Sequence, residues 1–169
     1  QIEISLLERS AAAQLLDALC RAQPQVVVHQ LTDLPPALDP TRMAQARVRN
    51  AHLREVGTRH LVAAAAAAGA TRMIAQSIAF AYAPGPLPYR EEAPLDLDSA
   101  TFGLTARAVA SLEQQVLHAP MDGVVLRYGK LYGPGTGFDL PPPGGALHVD
   151  AAARAAQLNV AEVVAPDAA

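Results

Sequence analysis

Apolar positions recur along this chain with two different spacings, and the switches between them outline its elements. Ala12, Leu15, Leu16 and Leu19 fall at i, i+3, i+4 and i+7, one face of a helix, with Ser10 as N-cap and Pro24 beyond its end. "QVVVHQ" follows as a β-branched run long enough for a buried strand, and "QIEI" at the start reads as a short strand. "LTDLPPALDP" is too rich in proline for a regular element and is a loop. From Thr41 to Ala68 a helical pattern puts Leu53, Val56, His60, Leu61, Ala64 and Ala68 on one face, with Gly69 as the C′ residue. Gly57 inside it costs about 1 kcal/mol relative to alanine, and implies a close approach to a sheet.

Arg72 to Ser77 is the next strand, and "APGPLPYREEAPLDLD" is a loop. Leu104, Ala108, Leu112 and Val116 mark another helix, followed by the strand "GVVLRY" and a glycine- and proline-rich loop from Gly129 to Gly145. "ALHVD" reads as a short helix with Asp150 as N-cap to "AAARAA", and "QLNVAEVV" as a last strand. Strands alternating with helices predict an α/β fold: a Rossmann-type doubly wound parallel sheet with helices on both faces. Such a sheet takes its ligand beyond the carboxyl ends of its strands, here "HQLTD", "QSIAFAY" and "RYGKLYGPGTG".

Composition narrows the function classes. The chain has 169 residues, 51% hydrophobic and 17% charged, enough for one packed core and not a disordered composition. A net charge of −3 carries no basic footprint, so nucleic acid is not an expected partner. One cysteine, Cys20, excludes an internal disulfide and fits a reducing, cytoplasmic setting; beside Leu19 on a helix it reads as a small buried hydrophobe. No apolar run is long enough to span a membrane, and the histidines show no metal-ligand spacing.

"VVVHQLTDL", "VGTRHLVAAAAAAGATRMIAQSIAFAY", "LRYGKLYGPGT" and "ALHVDAAARAA", in that order, resemble the extended short-chain dehydrogenase/reductases, the NAD(P)-dependent epimerase/dehydratase family. The resemblance runs from about Ile2 to Val160 and implies NAD or NADP as cofactor, a nucleotide sugar or related carbonyl compound as substrate, and a homodimer through the Thr41–Ala68 and Ala100–His118 helices. It divides the chain into a Rossmann-like portion, 1–135, lacking its first βαβ unit, and part of a substrate region, 136–169. The family's glycine-rich turn opening a helix is not in these residues, since no helix follows "GPGTG". The stretch from Ala151 to Ala156 is shorter than the helix the family places before its "NV" strand.

The family's catalytic trio is a Ser or Thr after this central strand and a Tyr and Lys four residues apart on the next helix. Counting back from Tyr82 places the hydroxyl position at Ile78, one residue after Ser77. Matching Glu113 to the family's helix glutamate places the pair at Thr105 and Val109; matching Phe102 to the tyrosine places it at Phe102 and Ala106. Neither register restores the dyad. Ser77, Thr105 and Lys130 remain the candidates for catalysis, with Tyr82 and Lys130 facing substrate. By resemblance, Ser5, Leu6, Gln30, Leu31, Thr32, Arg54, Gln76, Tyr128 and Gly129 line the cofactor. The simplest alternatives are a Ser77 hydroxyl bonded to backbone, a solvated loop lysine at 130, the chain's one lysine, and a buried, hydrogen-bonded His29. Two functions follow: a reductase, epimerase or dehydratase with another group in place of the dyad, or a non-catalytic dinucleotide-binding sensor or scaffold.

Overall fold

A computed structural model of the chain describes residues 10–35, 39–143 and 145–164. In order, it forms α1 (Ala11–Ala22), β1 (Val26–His29), α2 (Met43–His52), a π-helical turn (Leu53–Gly57), α3 (Thr58–Ala67), β2 (Arg72–Ile78), α4 (Gly103–Leu117), β3 (Asp122–Tyr128), β4 (Lys130–Tyr132), β5 (Ala146–His148) and α5 (Val149–Val164). β1, β2 and β3 make a parallel sheet in that order, with Val27 opposite Met73 and Met73 opposite Gly123. The α/β, parallel-sheet expectation holds.

Strand alternation assigns the two faces. Val27, Met73, Ala75 and Val125 pack with Leu15 of α1, Leu61, Ala64 and Ala65 of α3, and Leu112 and Val116 of α4, which builds the main core on one face. α5 crosses the other, and its Ala152 and Ala156 are buried. Small residues permit this close packing. At Gly123 even one methyl group would collide with the Val116 carbonyl at the end of α4. Gly69, at φ +81°, ends the long helix, its neighbour Ala70 donating to the Ala65 carbonyl at 3.0 Å.

Several local expectations change. The Thr41–Ala68 helix is continuous, but its centre is a π-helical turn that holds Gly57 and touches α4. Such turns concentrate at functional sites. "ALH" is a strand, paired with β4 inside the segment read as loop, because parallel pairing satisfies both backbones. The stretch read as a last strand is the end of α5, an alanine-rich run with helical spacing. Asp150 lies inside that helix, and its N–H donates to His148 Nδ1. Ser10 makes no cap bond to its helix and instead accepts from the Gln14 amide at 2.6 Å. Cys20 is exposed. Among the described residues, no helix is long and apolar enough to cross a membrane.

Candidate functional site

The parallel register brings the carboxyl ends of the three strands to one edge of the sheet: His29 opposite Ala75, and Ile78 opposite Tyr128. Consecutive residues there point to opposite faces. Gln76 lies half-buried on the α5 side, while Ser77 turns under α4 and is 1% exposed. Its hydroxyl donates to Glu113 Oε1 at 2.5 Å, a side-chain acceptor where a backbone one was expected. Arg127 of β3 forks onto the same carboxylate, with Nε 2.8 Å from Oε1 and Nη2 2.6 Å from Oε2. The bond to Glu113 raises the Arg127 pKa above its ordinary value, with a smaller contribution from Tyr82. Arg127 also donates to the Glu91 carbonyl at 3.0 Å and lies 4.9 Å over the Tyr82 ring, which stacks on Tyr89. Together they pin α4, β2, β3 and the loop that follows β2.

One residue on, polarity ends. Ile78, the position that resembles the family's catalytic hydroxyl, packs with Ala81 and Val109, while Leu95 and Phe102 close the edge of the cluster. Val109, where the lysine would stand, is 1% exposed. Thr105, one turn earlier on α4, is half-buried, and its hydroxyl is no acid near neutral pH. Glu113, noted in the sequence only for its register, and Arg127 were the residues missed. The available signal was a carboxylate beside Leu112 on an apolar helix face and an arginine inside a β-branched strand.

The end of β1 is organised differently. His29 Nε2 donates to Thr58 Oγ1 at 2.9 Å, and Nδ1 accepts the Leu31 N–H at 3.4 Å, which defines the neutral tautomer. Burial, then the charge of Arg54, lowers its pKa to about 4. A helical turn away, Asn50 Oδ1 accepts from the Asp33 N–H at 2.9 Å and the Thr32 hydroxyl at 3.2 Å. Arg54, in the π-helical turn between Asn50 and Thr58, is half-buried and has neither a hydrogen-bond nor an ion-pair partner among the described residues. Desolvation lowers its pKa.

The remaining predicted positions are scattered. Gln30, Leu31 and Thr32 are exposed just beyond β1. Tyr128 is buried, and its hydroxyl donates to the Ala152 carbonyl at 2.8 Å, with burial raising its pKa. A methyl group on Gly129 would sit 3.1 Å from the Gly145 carbonyl oxygen, so glycine permits the close approach of those segments. Lys130 Nζ donates to the Pro143 carbonyl at 2.9 Å on the exposed loop. Tyr82 borders a cavity of about 380 Å³ with Tyr89, Arg127 and Tyr128. Ser5 and Leu6 lie outside the described residues.

No protein-family model matches the chain. A 3-diazoavenalumate denitrifying reductase from a Streptomyces species is 48% identical over 172 aligned positions, taking in 89% of this chain and 55% of that protein. The chain thus spans little more than half the length of the curated relative it matches. The Bordetella bronchiseptica enzyme WbmH, solved with NAD+, superposes with a TM-score of 0.72 at 21% identity, over 94% of this chain and 55% of that one. UDP-glucose 4-epimerase from Thermotoga maritima, solved with UDP-glucose, gives 0.71 at 17% identity, over 94% and 58%. At these identities the superpositions establish the fold.

Proposed function

We propose that this chain, which has the fold of the extended short-chain dehydrogenase/reductases, is the dinucleotide-binding portion of an NAD(P)H-dependent reductase that works without a tyrosine–lysine pair. The observation that carries this reading is the apolar cluster of Ile78, Ala81 and Val109 at the positions that resemble the catalytic ones. The residues present suit a dinucleotide at the strand ends: the β1 end is solvent-accessible, with Gln30, Leu31 and Thr32 exposed just beyond it. NAD(P)H bound there supplies a hydride.

Epimerisation or dehydration of a sugar needs a group to take and return a hydroxyl proton. Ile78 and Val109 cannot do so, and Ser77 is held by Glu113. What remains is an electrophile that accepts hydride unaided, beside a cluster from which water is excluded. An aryl diazonium group fits: hydride bonds to its terminal nitrogen, and the resulting aryl diazene loses N2 while its hydrogen passes to the ring carbon. The 48% identity to a denitrifying reductase supports this class over the sugar nucleotide implied by the family resemblance. The division at residue 135 into cofactor and substrate portions belongs to the same proposal, as do a homodimer through α2 and α4, where Val48 and Leu117 are 58% and 56% exposed, and the cofactor-facing roles of the strand-end residues.

The test is NAD(P)H oxidation by the full-length protein, with an aryl diazonium salt and with UDP-glucose, across pH 6 to 9. Oxidation coupled to N2 release, with no tyrosine-like step in its pH profile, is expected. Epimerised UDP-glucose would overturn the assignment, and cofactor binding without turnover of either would favour the sensor reading.

A further inference from the structure

Asn50, Thr58 and Asp33, on the same helix and on the loop leaving β1, are already engaged. On its helix face Asn50 is occupied by Thr32 and Asp33, and Thr58 by His29. Asp33, the carboxylate on the loop leaving β1, is held by Arg49 at 2.8 Å. His29 is neutral and its Nε2–H is taken by Thr58, so it offers Arg54 no countercharge. A half-buried guanidinium in this setting has lost part of its hydration with nothing in exchange among the described residues. The π-helical turn holds it there, since the surrounding helix is anchored on both sides of it, to the β1 end and, through Gln115 and the Glu55 carbonyl, to α4.

We infer that Arg54 is a carboxylate-binding residue, and that its ligand is a carboxylate carried by the substrate. The planar fork of guanidinium donors matches a carboxylate at two points, and the Arg54 fork is unspent. The inference rests on the reductase reading for its substrate class. A reductase acting on an aryl acid would anchor it by this charge. Lowering of the Arg54 pKa by burial agrees with a site that gains from an anion. A cofactor phosphate is the other source of an oxyanion, and the experiment separates the two.

Binding of cinnamate, of neutral cinnamamide and of NADPH is measured by calorimetry on the full-length protein and on Arg54→Met and Arg54→Lys. The wild type is expected to prefer cinnamate over cinnamamide. Arg54→Met should weaken cinnamate about 10- to 100-fold, as for a lost charge-assisted pair, and leave cinnamamide and NADPH unchanged. Arg54→Lys should restore part of the preference. Without ligand, Arg54→Met should melt no lower than wild type, which a structural arginine would not allow. A preference that survives Arg54→Met overturns the inference, and so does a matching loss of NADPH affinity, which would assign the anion to the cofactor. Failure of the wild type to bind NADPH would defeat the reductase reading and leave the cinnamate result standing by itself.

Discussion

Arg127 and Arg54 both stand at the carboxyl end of the sheet, and they are treated in opposite ways. Arg127 meets Glu113 at two points, touches two loop carbonyls and covers a tyrosine ring; its neighbours raise its pKa. Arg54, also part-buried, has no partner among the described residues, and burial lowers its pKa. A charge whose donors are satisfied within the fold holds the fold together. One that the fold positions but leaves unsatisfied is available to a ligand, at some cost to stability. Ser77 belongs to the first region, which is why its place at a strand end does not make it a catalyst.

The sharpest way to break this contrast is Glu113→Ala. It strands Arg127 and Ser77 together, and urea denaturation should show a loss of about 3–5 kcal/mol. Replacing the pair, Glu113→Leu with Arg127→Met, should cost less than either single change. If the single variant is as stable as wild type, Arg127 is no more structural than Arg54.

The second prediction concerns the Arg54 side. His29 has a folded pKa near 4 against about 6.5 unfolded, so the unfolded chain binds the extra proton first. Stability should therefore be complete above pH 6.5 and fall as pH drops toward 4, by about 3 kcal/mol in all. His29→Gln should flatten that slope in thermal melts. Gly123→Ala comes next. Its methyl group meets a backbone carbonyl that cannot rotate away, and the displaced α4 carries Glu113 with it. A loss of about 1–3 kcal/mol is expected by denaturation.

The smallest effect separates structure from chemistry most cleanly. Ser77→Ala removes one hydrogen bond while Glu113 keeps Arg127, so stability should drop by about 1 kcal/mol with kcat unchanged. A large fall in kcat would return Ser77 to catalysis.

Much of the fold was legible because the relevant signals are local. β-branched runs, helical spacing and proline-rich breaks located β1, β2, β3 and the helices between them, and their alternation specified a parallel sheet. The errors came where local signals conflict. "ALH" has no strand signature and becomes one only by pairing with Lys130–Tyr132, while "NV" in the last helix was read through the family pattern against its alanine-rich surroundings. At the site, residue order identified the strand ends and the missing dyad. It could not reveal that Ser77 and Glu113, 36 positions apart, share a proton, or that Arg127 completes them.

The sequence by itself therefore determined the α/β class, the order of the strands along the chain, and the absence of a tyrosine and lysine on α4, because period, propensity and residue identity are properties of short stretches. Tertiary structure alone decided which charges are satisfied. Whether an arginine is a strut or an open hand depends on what other segments bring within 3 Å of it, and no spacing along the chain encodes that distance.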